Sequence, residues 1–114
     1  MIVRALSNLV SNALRHATRG TPVVLSARAA ADGECAVQVA NDGPAIAPEH
    51  QALIFERFYR IDASRRGSAS GSGLGLAIVR SIMEMHHGRV SVTSAPGQPT
   101  VFTLHFPAPD AQRR

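Results

Sequence analysis

Two asparagines four residues apart and a run of alternating glycines are the groups in this sequence best suited to chemistry. Asn8 and Asn12 lie in Asn8-Leu9-Val10-Ser11-Asn12-Ala13-Leu14-Arg15-His16. Asparagine inside a helix costs roughly 0.5 kcal/mol relative to alanine and competes for backbone hydrogen bonds, so a pair at i and i+4 asks for a reason. It reads either as a solvated polar face or as a ledge of amide oxygens able to ligate a hard cation such as Mg2+. Arg4, Arg15 and His16 share that spacing, which sets the five residues opposite the apolar side of the helix. Further on, Gly71-Ser72-Gly73-Leu74-Gly75 opens the apolar run Leu76-Ala77-Ile78-Val79. Glycines there allow close backbone approach, and a helix N-terminus offers free N–H groups to an anion. A nucleotide loop and a plain loop-to-helix junction fit this segment equally. The absence of lysine excludes a Walker-type loop, and the G-x-G-x-G spacing after a polar loop fails the dinucleotide fingerprint.

Two further segments bear polar or aromatic groups at junctions. Asn41-Asp42-Gly43-Pro44-Ala45-Ile46 follows directly on a strand pattern and reads as a turn, or as a place where side-chain carbonyls face a pocket beside a sheet. Phe55-Glu56-Arg57-Phe58-Tyr59-Arg60 combines aromatic and basic residues, with core packing by the two phenylalanines as its simplest role.

The elements that must position these groups follow from periodicity. Leu6, Leu9, Val10, Ala13, Leu14 and Ala17 mark one face of a helix from residue 2 to about 18, stopped by Gly20-Thr21-Pro22. Residues 23–30 and 35–40 read as antiparallel strands around Asp32-Gly33. Pro48 opens a short helix to about Arg57, with Leu53, Ile54 and Phe58 turned inward. A polar loop from Tyr59 to Ser72 leads to a second long helix, about Gly73 to His87, with Gly88 as a left-handed cap. Strands 89–93 and 100–106 close a second hairpin. The predicted fold is α+β, a two-layer sandwich whose largely antiparallel sheet carries helices on one face. Residues 1–107 form the domain and 108–114 a flexible tail.

Composition narrows the classes. A chain of 114 residues, 45% hydrophobic, suits one domain with one core. Cys35 is the single cysteine, so an internal disulfide and a cysteine-rich metal site are excluded. The net charge of +4 arises from scattered arginines without an aromatic-interleaved stripe, which argues against nucleic acid. No apolar run approaches the length needed to span a bilayer and no signal peptide opens the sequence, so the expectation is a soluble domain without direct membrane contact.

Together and in this order, the four segments resemble the nucleotide-binding boxes of sensor histidine kinases. Residues 8–16 look like the asparagine box, 41–46 the first glycine box, Phe55 to Phe58 the phenylalanine box and 71–75 the second glycine box. The resemblance covers nearly the whole chain and implies the Bergerat ATP-binding sandwich, shared with gyrase, the MutL repair proteins and a heat-shock chaperone. It implies ATP/ADP and Mg2+ as cofactors, with Asn12 the main metal ligand and Asn8 beside it. Arg15 stands at a phosphate-facing basic position and His16 where an aromatic lies against adenine. Tyr59 and Arg60 would start a mobile lid, Arg60 reaching the terminal phosphates. Gly71, Ser72, Gly73, Leu74, Gly75 and Leu76 would wrap the phosphates.

Two departures qualify that pattern. Aligned on Gly43, Asn41 stands where the family has the adenine-binding Asp, and Ala45 replaces the second glycine of a box that ends at Ile46. A neutral acceptor costs roughly 1 kcal/mol against a charged one, so nucleotide binding is expected to be weakened and not lost. Asp42 is the alternative acceptor if the register slips by one. The Asn variant, with Pro48-Glu49-His50 and Phe58-Tyr59-Arg60-Ile61-Asp62, resembles the heavy-metal branch that includes copper and silver sensors. Secondly, none of His16, His50, His86, His87 or His105 matches the phosphoacceptor pattern, a His followed by an acidic residue on an upstream helix. The resemblance therefore implies a cytoplasmic catalytic domain excised from an inner-membrane sensor, without the strand before its first helix. It would donate γ-phosphate to a histidine on a separate dimerisation domain, and indirectly serve a response regulator. A regulatory module that binds nucleotide weakly, and an interaction domain without nucleotide, are the competing classes.

Overall fold

The computed structural model describes residues 1–30, 32–59 and 75–108. Helix α1 spans Ile2–His16, strands β1 and β2 span Val23–Ala29 and Cys35–Asn41, and α2 is a single turn, Pro48–Gln51. A 3-10 turn at Leu53–Phe55 follows, then α3 (Gly75–Met85), β3 (Arg89–Thr93) and β4 (Thr100–Phe106). The sheet order is β1-β2-β4-β3, and every pairing is antiparallel. Helices α1 and α3 pack on each other and on the sheet, α1 against β2 and α3 against β3 and β4. This is the α+β two-layer sandwich expected from the periodicity.

Strand alternation sorts the sheet. Val37, Val39 and Asn41 on β2, with Thr100, Phe102, Leu104 and Phe106 on β4, point toward the helices, because residues two apart share a face. Leu9, Val39, Val79, Ile82, Met83, Phe102 and Leu104 are the largest fully buried side chains. Each contributes roughly 1.5–3 kcal/mol by leaving water. Phe55 meets Phe102 edge to face, ring centres 6.0 Å apart. Outward-facing Gln38, Ser91, Thr103 and His105 give the other face its polar character; Ser91 Oγ lies 2.9 Å from His105 Nε2.

Several local expectations shift. The buried stripe of α1 is Ala5, Leu9 and Ala13, whereas Leu14 is 64% exposed. Asn8 and Asn12 are half-buried, since each sits one position before a buried residue and so borders the core face instead of opposing it. Helix α1 ends at His16, before Gly20-Thr21-Pro22, because the Thr18 N–H turns away to donate to the Asp42 carbonyl at 2.7 Å. The helix expected from Pro48 to Arg57 instead breaks after one turn. The tighter 3-10 turn lowers Ile54 and Phe55 together into the core and leaves Leu53 outside. Phe58 is also outside, with the Arg57 guanidinium 5.5 Å from its ring centre.

The end of α3 shows how tertiary packing assigns a glycine. His87, not Gly88, takes the left-handed conformation, at φ +62°. The Gly88 N–H reaches the Met83 carbonyl at 2.8 Å and the His87 N–H reaches that of Glu84 at 3.1 Å, the paired bonds of a Schellman cap. Gly88 is required for space, since a Cβ there would lie 2.2 Å from the His105 carbonyl oxygen on β4.

Candidate nucleotide site

The last turn of α1 and the segment after β2 form one surface. Gly43 sits so close to the end of α1 that a Cβ would lie 2.5 Å from the His16 carbonyl oxygen. With the bond from Thr18 to Asp42, this sets the last turn of α1, which carries Arg15 and His16, beside Asp42 and Gly43. Asn41 is 5% exposed, and its Nδ2 donates to the Asp42 carbonyl at 3.3 Å, which presents the amide oxygen as acceptor. Directly opposite on β4 stands Thr100, 4% exposed.

A hydrogen-bond web holds this floor. Ser94 Oγ accepts from the Ile46 N–H at 2.8 Å and lies 2.9 Å from Thr100 Oγ1. Gln51 Nε2, on α2, donates to the carbonyls of Ile46 at 2.8 Å and Ser94 at 3.0 Å. Sequence reasoning missed Ser94, Thr100 and Gln51. Their one signal was placement: Thr100 shares the alternation that turns Phe102 and Leu104 inward.

Asn8 ties α1 to α3, its Nδ2 donating to the Gly75 carbonyl at 3.4 Å. The asparagine ledge thus borders the first described residues after the glycine run. Asn8 and Asn12 stand one helical turn apart, and the amide oxygen each carries is the kind of hard donor that suits Mg2+. Among the described residues no group of three His, Cys, Asp or Glu side chains could hold a metal. Burial, and secondarily the neighbouring Arg15 charge, push the His16 imidazole below its ordinary pKa, so its neutral, stackable form is favoured. Arg15, Asp42 and Ala45 are exposed, while Tyr59 and Leu76 are partly buried against the core. Arg60, Gly71, Ser72, Gly73 and Leu74, and the expected lid as a whole, lie outside the described residues, as does the tail from 109. A groove of about 390 Å3 lined by Met1, Arg4, Arg57, Ile78, Ser81 and Met85 includes none of the expected site residues.

Residues 1–110 match the family described as histidine kinase-, DNA gyrase B-, and HSP90-like ATPase. The chain belongs to this ATPase family. Sensor protein IrlS of Burkholderia pseudomallei is 54% identical over 105 residues, which cover 92% of this chain and 22% of that protein. Sensor histidine kinase CusS of Escherichia coli is 48% identical over 108 residues, 95% of this chain and 22% of its own length. The chain therefore spans about a fifth of the curated relatives it matches. Among solved structures, full-length ShkA in complex with AMPPNP superposes with a TM-score of 0.80 at 34% identity, over 93% of this chain and 21% of that one. CusS is named a sensor histidine kinase, and the catalytic domain of histidine kinase ThkA superposes with a TM-score of 0.79 at 28% identity, over 98% of this chain and 69% of that one. No helix among the described residues is long and apolar enough to cross a membrane.

Proposed function

We propose that this chain binds Mg·ATP across the end of α1 and the first glycine box, and presents the γ-phosphate to a histidine on a separate dimerisation domain of a sensor kinase. The observation that carries this reading is the seating of Gly43 against the His16 carbonyl, which joins the asparagine box to the first glycine box. Asn41 accepts from the adenine amino group at the buried end, with Gly43, Ala45 and Ile46 as the wall beside it and Asp42 as the alternative acceptor. His16 lies against the base. Arg15, Arg60 and the amides of residues 71–76 hold the phosphates. Asn12, with Asn8, would hold Mg2+, which when bound neutralises phosphate charge.

Phosphoryl transfer depends mainly on positioning and charge neutralisation, which suits a site of amides, arginines and backbone N–H groups. The acceptor histidine belongs to the partner domain, from which a response regulator is served indirectly. A cytoplasmic location beneath an inner-membrane sensor follows from that role. The Asn41 variant and the close relationship to CusS favour the heavy-metal-sensing branch. Calorimetric titration with AMPPNP tests the site. One-to-one binding that weakens about tenfold without Mg2+, and equally in Asn12→Ala, is expected for loss of a metal ligand. Absence of binding up to millimolar analogue would overturn the reading and favour an interaction module.

A further inference from the structure

Tyr59, the residue directly before Arg60, does not stand free. Its hydroxyl shares a hydrogen bond with His50 Nδ1 on α2, and the two rings lie 5.8 Å apart, tilted by 48°. Both side chains are half-buried, and Tyr59 packs on the rim of the core. The chain reaches this arrangement through Phe58 at φ +65°, a rare conformation for a bulky residue, which turns Tyr59 back over α2. The Tyr59 N–H closes that turn by donating to the Glu56 carbonyl at 3.2 Å.

His50 neighbours Gln51, whose side chain bonds the Ile46 and Ser94 carbonyls. One set of hydrogen bonds thus runs from Thr100 through Ser94 and the Ile46 backbone to Gln51 on α2, and a second joins His50, the preceding residue of the same turn, to Tyr59. The first set braces the floor under Asn41, and the second holds the phenol of the residue before Arg60. A helix of one turn has little rigidity of its own, so these side-chain bonds must hold it.

We propose that His50 is a positioning residue for the nucleotide site: it fixes the Tyr59 phenol against α2 and thereby ties it to the first glycine box. This rests on the nucleotide reading above. His50 touches neither base nor phosphate; it acts through Tyr59.

The chain supplies its own reporter, because Tyr59 is its only tyrosine and it has no tryptophan. Tyrosine emission of the nucleotide-free chain is compared for the parent, His50→Ala and His50→Asn, together with Mg·AMPPNP affinity and thermal midpoint. Asn is chosen because its amide can stand where Nδ1 does. The expected result is altered emission and about fivefold weaker binding in His50→Ala, the size of one hydrogen bond, with both recovered in His50→Asn. In Tyr59→Phe, a further His50→Ala change should cost no additional affinity. Unchanged emission in His50→Ala overturns the contact whether or not nucleotide binds. Altered emission with unchanged affinity, or a His50→Ala loss that adds fully to Tyr59→Phe, overturns the positioning role while leaving the nucleotide site standing. A parent chain that binds no analogue overturns both.

Discussion

Ser94 Oγ contacts the Ile46 N–H and the Thr100 hydroxyl at 2.8 and 2.9 Å, whereas the asparagine ledge meets α3 through one long bond, Asn8 to the Gly75 carbonyl at 3.4 Å. The two ends of the proposed site are thus built differently. At the base end, Asn41 and Thr100 are buried and sit on ladder-paired strands. At the other end, Asn8 and Asn12 are half-buried on a helix, and Asn8 reaches the Gly75 carbonyl at the start of α3. Glycine spacing follows the same division: a Cβ at Gly43 would strike the His16 backbone, while one at Gly75 would meet no atom of the described residues within 4 Å. In the proposed reading, a floor already held by these bonds adds little ordering cost of its own when the base binds.

The largest effect should come from Gly43→Ala. Forcing a methyl into that contact costs about 3 kcal/mol by overpacking, and should lower the thermal midpoint by roughly 10 °C or more. Gly75→Ala, its counterpart at the phosphate end, should leave the midpoint unchanged or slightly raised. Equal destabilisation by both would erase the contrast.

Ser94→Ala comes next. It leaves the Ile46 N–H and the Thr100 hydroxyl without their shared partner, a loss of about 1–3 kcal/mol in denaturant unfolding. Asn12→Ala, in contrast, should change unfolding by less than about 0.5 kcal/mol, because alanine is the better helix former. A stability loss in Asn12→Ala as large as that in Ser94→Ala would mean that the ledge is structural.

Asn41→Asp should separate affinity from stability. A carboxylate in place of the amide strengthens the bond to adenine and raises nucleotide affinity about severalfold. It also buries a charge at a position only 5% exposed, so the unliganded midpoint should fall. Unaltered affinity would count against Asn41 as the adenine acceptor.

The smallest effect is the pH dependence of stability. Burial and then Arg15 lower the His16 pKa. Burial and then Arg89 lower that of His105, with Glu34 partly opposing. Both folded imidazoles favour the neutral form, so the unfolded chain binds more protons. Stability from this source is complete above the ordinary histidine value of about 6.5 and is lost as pH falls through the folded values. Thermal midpoints measured from pH 8 to pH 5 should decline on the acid side, and His16→Gln should flatten the part of that decline that arises at the site. A midpoint that rises on acidification would contradict both assignments.

Much of this was legible in the residues. The i, i+4 asparagines, the alternation along β2 and β4, the Asp32-Gly33 hairpin and the order of the four boxes are local patterns, and periodicity reports local structure directly. Where the reading slipped, a distant contact had intervened. Thr18 leaves α1 for Asp42, Gly88 serves β4 and leaves the left-handed cap to His87, and Leu14 lies outside the stripe that packs.

The sequence by itself determined the element types, the sandwich and the candidate nucleotide-binding groups, because each depends on residue chemistry within a few positions. Only the tertiary structure decided how the floor is tied together. Ser94 reaches Ile46 across 48 residues and Gln51 across 43, and such pairings have no period in the chain. They arise once hairpin and helix are packed and their buried polar groups must find partners.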